Sequence, residues 1–388
     1  MDAHKQTIEI LSKIASKYNL NKLEDILVNS DTLLFEKDIY ITLMNIVEAA
    51  GCEGAALESL KEVKNIYGSP VFMISADNYN IKNPPDFEKA IDELEDYSFC
   101  FELSPYHIVN TYLAILVAQV IGTNLKKLCS MAMGHIQESI EVSLKNNPNW
   151  NEDKLSTDNP VLVMPVGAAG CGKSTFYKEL SNVLNISCDN IRYLLFKEYG
   201  PCFSAWESAL SWWVVNYLTD YYLEKRYSVF YNGVNTDMEY RAPITMENTD
   251  PVFAGIPYAV RLVYFAPVVD LNEQEIEEMK SVNLWKTSID EIDLSGLSEP
   301  VGRIIEMIKR NYHRTLNRTK EISEGKSKQD PFDVLYAVPA PVIKLFVEQS
   351  FKKPEVDNIT VVERKIIEDP QDRQAFYKQY ALKVMDQS

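Results

Sequence analysis

The stretch Gly167-Ala168-Ala169-Gly170-Cys171-Gly172-Lys173-Ser174-Thr175 carries the complete Gly-x-x-x-x-Gly-Lys-Ser pattern of a phosphate-binding loop. Each residue type has a chemical reason. Backbone N–H groups wrap a polyphosphate closely only where no Cβ intervenes, hence the glycines. A helix starting at this point turns its positive end toward the same phosphates. Lys173 is long enough to reach the β- and γ-phosphates, and Ser174 offers a hydroxyl to Mg²⁺. The expected ligands are therefore ATP and Mg²⁺, held by residues 167 to 175.

The flanking residues supply the context that the loop needs. Val161, Leu162, Val163, Met164 and Val166 form a short apolar run of the kind found in buried strands of parallel sheets. Phe176, Leu180 and Val183 follow at helical spacing, so the pattern predicts strand, loop and helix in that order.

A second group of residues lies downstream in Ile186-Ser187-Cys188-Asp189-Asn190-Ile191-Arg192. Asp189 and Arg192 are one helical turn apart and share a face. In parallel sheets, ligands bind beyond the carboxyl ends of the strands. A carboxylate placed there is suited to accept a proton from a hydroxyl nucleophile or to stand near Mg²⁺. An arginine beside it is suited to grip an anionic acceptor through its planar fork. Asp189 also fits the N-cap of the following helix, and the two roles are compatible.

Outside these motifs, the chain reads in two parts. Residues 1–150 are mostly helical, with an apolar stripe at Ile8, Leu11, Ile14 and Ala15 and another at Leu43, Ile46 and Val47. Ser104-Pro105 opens a long apolar helix. Pro70 to Ile74 reads as a short strand or a piece of core helix. His107 and His135 lack partners at metal-ligand spacing and read as ordinary histidines. These residues form an α-helical accessory domain, expected to bind a protein or the acceptor. The turn-rich segment 146–160 marks the boundary. From 151 to 388, apolar runs at 161–166, 184–188, 227–232, 259–265 and 358–362 alternate with helical stretches, which predicts an α/β fold.

Trp206, Leu210, Trp213, Tyr217 and Tyr221 lie on one aromatic helix. Its simplest reading is a helix packed on the sheet face, and the other is a stacking platform for bases. Residues 270–300 are acidic, and residues 303–320 then reverse the charge with Arg303, Lys309, Arg310, Arg314, Arg318 and Lys320. That run reads either as a solvated helix face or as a lid, at about 303–325, whose cations meet a transferred phosphate.

Composition sets outer limits. The 388 residues carry a net charge of −17, which argues against a protein that coats nucleic acid with a broad basic surface. Cys52, Cys100, Cys129, Cys171, Cys188 and Cys202 form no metal-binding pattern, and Cys171 falls inside the phosphate loop. Six reduced thiols, no signal-peptide pattern at the N-terminus and no apolar stretch long enough for a membrane span lead to the expectation of a cytoplasmic protein with no membrane partner.

The loop motif followed by Asp189-x-x-Arg192 resembles the polynucleotide 5′-hydroxyl kinases and their relatives among the P-loop kinases. The likeness extends through Val229 to Asn235, Tyr240 to Pro243, Arg314-x-x-x-Arg318 and the segments Val338–Ile343, Phe351–Pro354 and Ile359–Val362, covering about 160–363. It implies a P-loop NTPase kinase domain, with a parallel sheet sandwiched by helices. In that family's terms Lys173 neutralises the migrating phosphoryl group and Ser174 holds Mg²⁺, with Asp189 near the metal. Asp189 is the general base on the acceptor hydroxyl, Arg192 binds a phosphate of the acceptor, and Arg314 and Arg318 stabilise the transferring charge. The implied partner is a 5′-hydroxyl end of RNA or DNA. The Asp-x-x-Arg element also resembles zeta-toxin-type kinases of nucleotide sugars, and other small-molecule kinases share the build. An ATPase switch is the third reading; it lacks an apolar run ending in Asp-Glu. Where the family often has an acid, this chain has Asn232. Asn232 and Asn235 remain able to hydrogen-bond the acceptor or a metal-bound water.

Overall fold

The computed structural model describes residues 3–18, 85–97, 105–120, 122–168, 170–196, 205–236, 256–267, 269, 271–284, 287–323, 340–351, 353–354, 359–363, 367 and 369–386. In chain order the elements are α1 (Ala3–Tyr18), α2 (Phe87–Glu93), α3 (Pro105–Val120), α4 (Leu125–Asn146), β1 (Val161–Val166), α5 (Lys173–Tyr177), β2 (Val183–Ser187), α6 (Cys188–Phe196), α7 (Ala205–Glu224), β3 (Ser228–Asn232), β4 (Ala259–Phe265), α8 (Glu273–Ser281), α9 (Glu299–Ser323), α10 (Ala340–Ser350), β5 (Thr360–Val362) and α11 (Pro370–Met385). The apolar stripe at 43–47, the segment 70–74 and residues 240–243 lie outside the described residues.

The chain divides into two compact units, Met1–Gly134 with Leu195–Tyr217, and His135–Leu194 with Leu218–Ser388. In the first unit the regular elements among the described residues are helical. Asp86 caps α2 by accepting from the Lys89 amide at 3.0 Å, and its own amide donates to the Gln119 side chain at 2.8 Å. Helix α3 is buried from Thr111 through Ala118, as its nearly unbroken apolar sequence requires. Trp213 is buried, donates from its indole nitrogen to Thr111 Oγ1 at 2.8 Å, meets Tyr97 edge-on and stacks on Tyr217. The aromatic stretch thus packs, but the partners of Trp213 are residues of this helical unit rather than the sheet face expected from the sequence. Among the described residues no helix is long and apolar enough to cross a membrane.

The second unit is an α/β fold built on a five-stranded, all-parallel sheet in the order β2-β3-β1-β4-β5. The five strands lie where the apolar runs predict them. Parallel sheets need both faces covered, which is why β1 is buried at five of its six positions. One face packs around Phe176, Phe230 and Phe265, closed by Tyr377, Ala381 and Val384 of α11. Phe176 has no exposed surface and meets Phe265 edge-on at 5.7 Å; truncating such a side chain to alanine costs about 3–5 kcal/mol.

Strand order also locates the cleft. The chain leaves β1 toward β2 on one side and leaves β4 toward β5 on the other. The connections therefore diverge at the carboxyl ends of β1 and β4, where open parallel sheets bind their ligands. Helix α9 lies beyond β4 and α8. Its residues Val301, Ile304, Ile305 and Ile308 are buried at the spacing of one helical face, while Arg303, Glu306 and Arg310 are exposed. Arg303 and Arg310 of the basic run thus lie on the outer side of an amphipathic helix.

Candidate functional site

The 167–175 loop grows from the way β1 ends. β1 pairs with β3 only at Leu162 and Val163, whereas its ladder with β4 continues to Val166. The β3 side is therefore open at Pro165, which has no N–H to give. The Pro165 carbonyl accepts instead from Asn235 Nδ2 at 2.9 Å, and the same nitrogen donates to the Tyr231 carbonyl at 3.1 Å. Asn235 holds a left-handed backbone, φ 50°, and the Gly167 amide donates to the Val234 carbonyl at 3.0 Å. Asn235 thus fixes the root of the loop from within. Its amide nitrogen is committed to these two carbonyls.

The loop turns on left-handed glycines, Gly170 at φ 76° and Gly172 at φ 105°. A Cβ on Gly167 would press on Cys171 Sγ at 2.7 Å and on Phe265 Cβ at 3.0 Å. Lys173 folds its ammonium back into the loop and donates to the Gly167 carbonyl at 2.7 Å and the Ala168 carbonyl at 2.9 Å. Its third neighbour is Cys171 Sγ at 3.8 Å, a weak acceptor that a phosphate oxygen outcompetes. Ser174 is exposed at the start of α5, and Thr175 is half-buried; Ala169 lies outside the described residues.

The helix after the loop is shorter than the spacing of Phe176, Leu180 and Val183 predicts. α5 ends at Tyr177, the amides of Glu179 and Leu180 bond three residues back to Phe176 and Tyr177, and Val183 already begins β2. The left-handed Asn182, φ 58°, turns the chain into the strand. The apolar spacing is satisfied by one sheet face, since Phe176, Leu180 and Val183 all enter the same core.

At the carboxyl end of β2, Asp189 and Arg192 are brought together in the first turns of α6, with Nη1 3.3 Å from Oδ1. The arginine side chain is 5% exposed and the carboxylate 39%. Arg192 also donates to Cys188 Sγ at 3.5 Å. The guanidinium therefore orients the carboxylate from behind, and Asp189 is the member of the pair that reaches solvent. The Asn190 amide faces Ser187 Oγ at 3.4 Å, so the hydroxyl before the helix, rather than Asp189, sits at the cap. Burial pushes the Cys188 thiol up to about 12, against the opposing pull of Arg192, which keeps it a neutral acceptor. Asn232, at the end of β3, donates to Asn185 Oδ1 at 3.1 Å.

From α9, Lys309 and His313 both contact Asp290 Oδ1, at 3.1 and 2.9 Å, and hold its carboxyl below the usual range. Arg303 pairs with Glu299. The side chains of Arg314 and Arg318 lie outside the described residues; their positions follow Asn311 by three and seven residues, on its face of the helix. Among the described residues no group of three or more His, Cys, Asp and Glu is placed to hold a metal ion. Mg²⁺ at a triphosphate needs no such cage, because it takes most ligands from phosphates and water.

Two neighbours of the loop escaped the sequence. A Cβ on Gly170 would collide with the Asn311 carboxamide, and one on Gly172 with the Tyr377 hydroxyl of α11. Neither residue belongs to a recognisable motif, and 200 residues separate Tyr377 from the loop only in sequence. Gly172→Ala is expected to lower stability by about 1–3 kcal/mol, from a left-handed backbone and the Tyr377 clash together. Denaturant unfolding measures it, and an unchanged midpoint would mean that loop and α11 relax freely.

Comparison of the chain with protein-family models, with curated proteins and with solved structures finds no match.

Proposed function

We propose that the chain is an ATP-dependent phosphotransferase with a hydroxyl acceptor, most readily the 5′-hydroxyl end of RNA or DNA. One observation carries the proposal. The Gly167–Thr175 loop leaves the central strand of a parallel sheet with the Lys173 ammonium fixed inside it, bonded to the carbonyls of Gly167 and Ala168.

Bound MgATP supplies the phosphoryl group. The loop amides and Lys173 offset the negative charge on the β- and γ-phosphates, and the Ser174 hydroxyl serves the metal. Asp189, held by Arg192, takes the acceptor's hydroxyl proton. The acceptor oxygen then forms its bond to the γ-phosphorus as the bond to the β–γ bridging oxygen breaks, and ADP leaves with that electron pair. Arg314 and Arg318 follow Asn311 along the same helix, and cations from a lid would serve the charge stabilisation that such transfers need.

The net charge of −17 favours a second reading, a small acceptor such as a nucleotide sugar, because long polyanions are repelled by an acidic surface. One experiment separates the two. The protein is incubated with γ-labelled ATP, Mg²⁺ and, in parallel, 5′-hydroxyl RNA, 5′-hydroxyl DNA, nucleosides and UDP-sugars. Label on an oligonucleotide end supports the first reading and label on a UDP-sugar the second. Release of inorganic phosphate alone, in every reaction, would leave an ATPase.

A further inference from the structure

We propose that Asn311 is a positioning residue that docks α9 onto the apex of the phosphate loop, so that nucleotide at the loop sets the placement of the helix face carrying Arg314 and Arg318. The inference rests on the reading of 167–175 as a nucleotide site.

The contact is specific. At Gly170, the fourth residue of the loop, the three atoms nearest to an added Cβ are Oδ1, Cγ and Nδ2 of Asn311, with Cγ at 2.7 Å and Nδ2 at 2.8 Å. The carboxamide therefore fills the space that a side chain at 170 would take. The backbone there is left-handed, φ 76°, a conformation glycine adopts without strain. Glycine at this position serves two ends at once: it makes the turn, and it leaves room for a side chain from a helix more than a hundred residues away.

The position of Asn311 within α9 is equally telling. Val301, Ile304 and Ile308 bury one stripe of the helix, and the next position along that stripe is Asn311. An apolar residue would extend the core there. The carboxamide instead brings a donor and an acceptor to the loop at the point where packing ends. Loop amides must change partners when an anion enters, and a group able both to donate and to accept follows that change. The cations at 314 and 318 come one and two turns further along the same face. A shift at Gly170 is thus passed to them through the helix, which Lys309 and His313, on either side of Asn311, tie to Asp290.

The test compares wild type with Asn311→Ala, using hydrogen exchange in α9 and steady-state kinetics. Binding of the non-hydrolysable analogue adenylyl-imidodiphosphate with Mg²⁺ is expected to slow exchange of wild-type amides at 308–323 on the order of tenfold. In Asn311→Ala that protection disappears and kcat falls about tenfold or more, while nucleotide Kd moves by less than about threefold. A thermal melt establishes that the variant is folded; if it is not, Asn311→Leu, of similar size but with no hydrogen-bonding group, takes its place. A folded variant with wild-type protection and kcat overturns the inference and leaves the nucleotide site standing. Wild-type protein that binds neither the analogue nor ATP overturns both.

Discussion

Lys173→Ala is expected to reduce phosphoryl transfer on the order of a thousandfold or more. Among the described residues the ammonium donates to two carbonyls, those of Gly167 and Ala168, with the weakly accepting Cys171 Sγ beside it. Its removal acts twice. The two carbonyls lose their shared donor. The migrating phosphoryl group also loses the nearest fixed positive charge. Lys173→Arg is not a rescue, because a planar guanidinium cannot occupy the place of a compact ammonium between two carbonyls. The fold is expected to survive, since the core packs beneath the loop through Phe176, Val163 and Phe265 rather than through Lys173. Turnover of γ-labelled ATP, with circular dichroism as the folding control, checks this. Full activity in a folded Lys173→Ala protein would remove the proposed function.

Asp189→Asn tests the other half of the reaction. The substitution keeps the shape and leaves an oxygen for Arg192 to meet at the present 3.3 Å. It also leaves the helix start intact, because Ser187 rather than Asp189 sits at the cap. What it removes is the ability to take a proton. On the proposed mechanism kcat falls roughly 10²- to 10⁴-fold, while ATP affinity changes little because the carboxylate is on a helix that follows β2 rather than on the loop. A fall in KM for ATP with unchanged kcat would point to a purely electrostatic role, and unchanged values of both would reduce Asp189 to a partner of Arg192.

The sheet and the loop were legible in the sequence for a physical reason. Short apolar runs such as Leu162–Val166 and Leu262–Phe265 are buried, so burial writes itself into consecutive residues. The loop motif is local, and its glycines are needed where they stand. Other features were hidden. The pairing of Trp213 with Thr111 depends on which elements meet in space, and the turn-rich break at 146–160 gives no sign that Leu195–Tyr217 clusters with the N-terminal residues. The short α5 was hidden because Phe176, Leu180 and Val183 satisfy a core equally from a helix or from a turn and a strand. Asn235 read as a chemical group because its commitment to Pro165 and Tyr231 follows from a ladder that stops early. Asn311 and Tyr377 were illegible for a related reason: the only trace of each is a missing side chain at a distant glycine.

The strand order has a further outcome, for how the molecule is made. β1 has neither of its sheet neighbours within reach of a hairpin; it must wait for Ser228–Asn232 on one flank and Ala259–Phe265 on the other. Long loops must close before the first native ladder rewards them, so assembly is expected to be slow, with the central strand unpaired while the ribosome is still adding its partners. Val161–Val166, apolar and uncharged, is then the segment most exposed to wrong pairing with another chain. Expression at low temperature or with chaperone support is expected to raise the yield of dispersed protein more than any substitution on the finished surface.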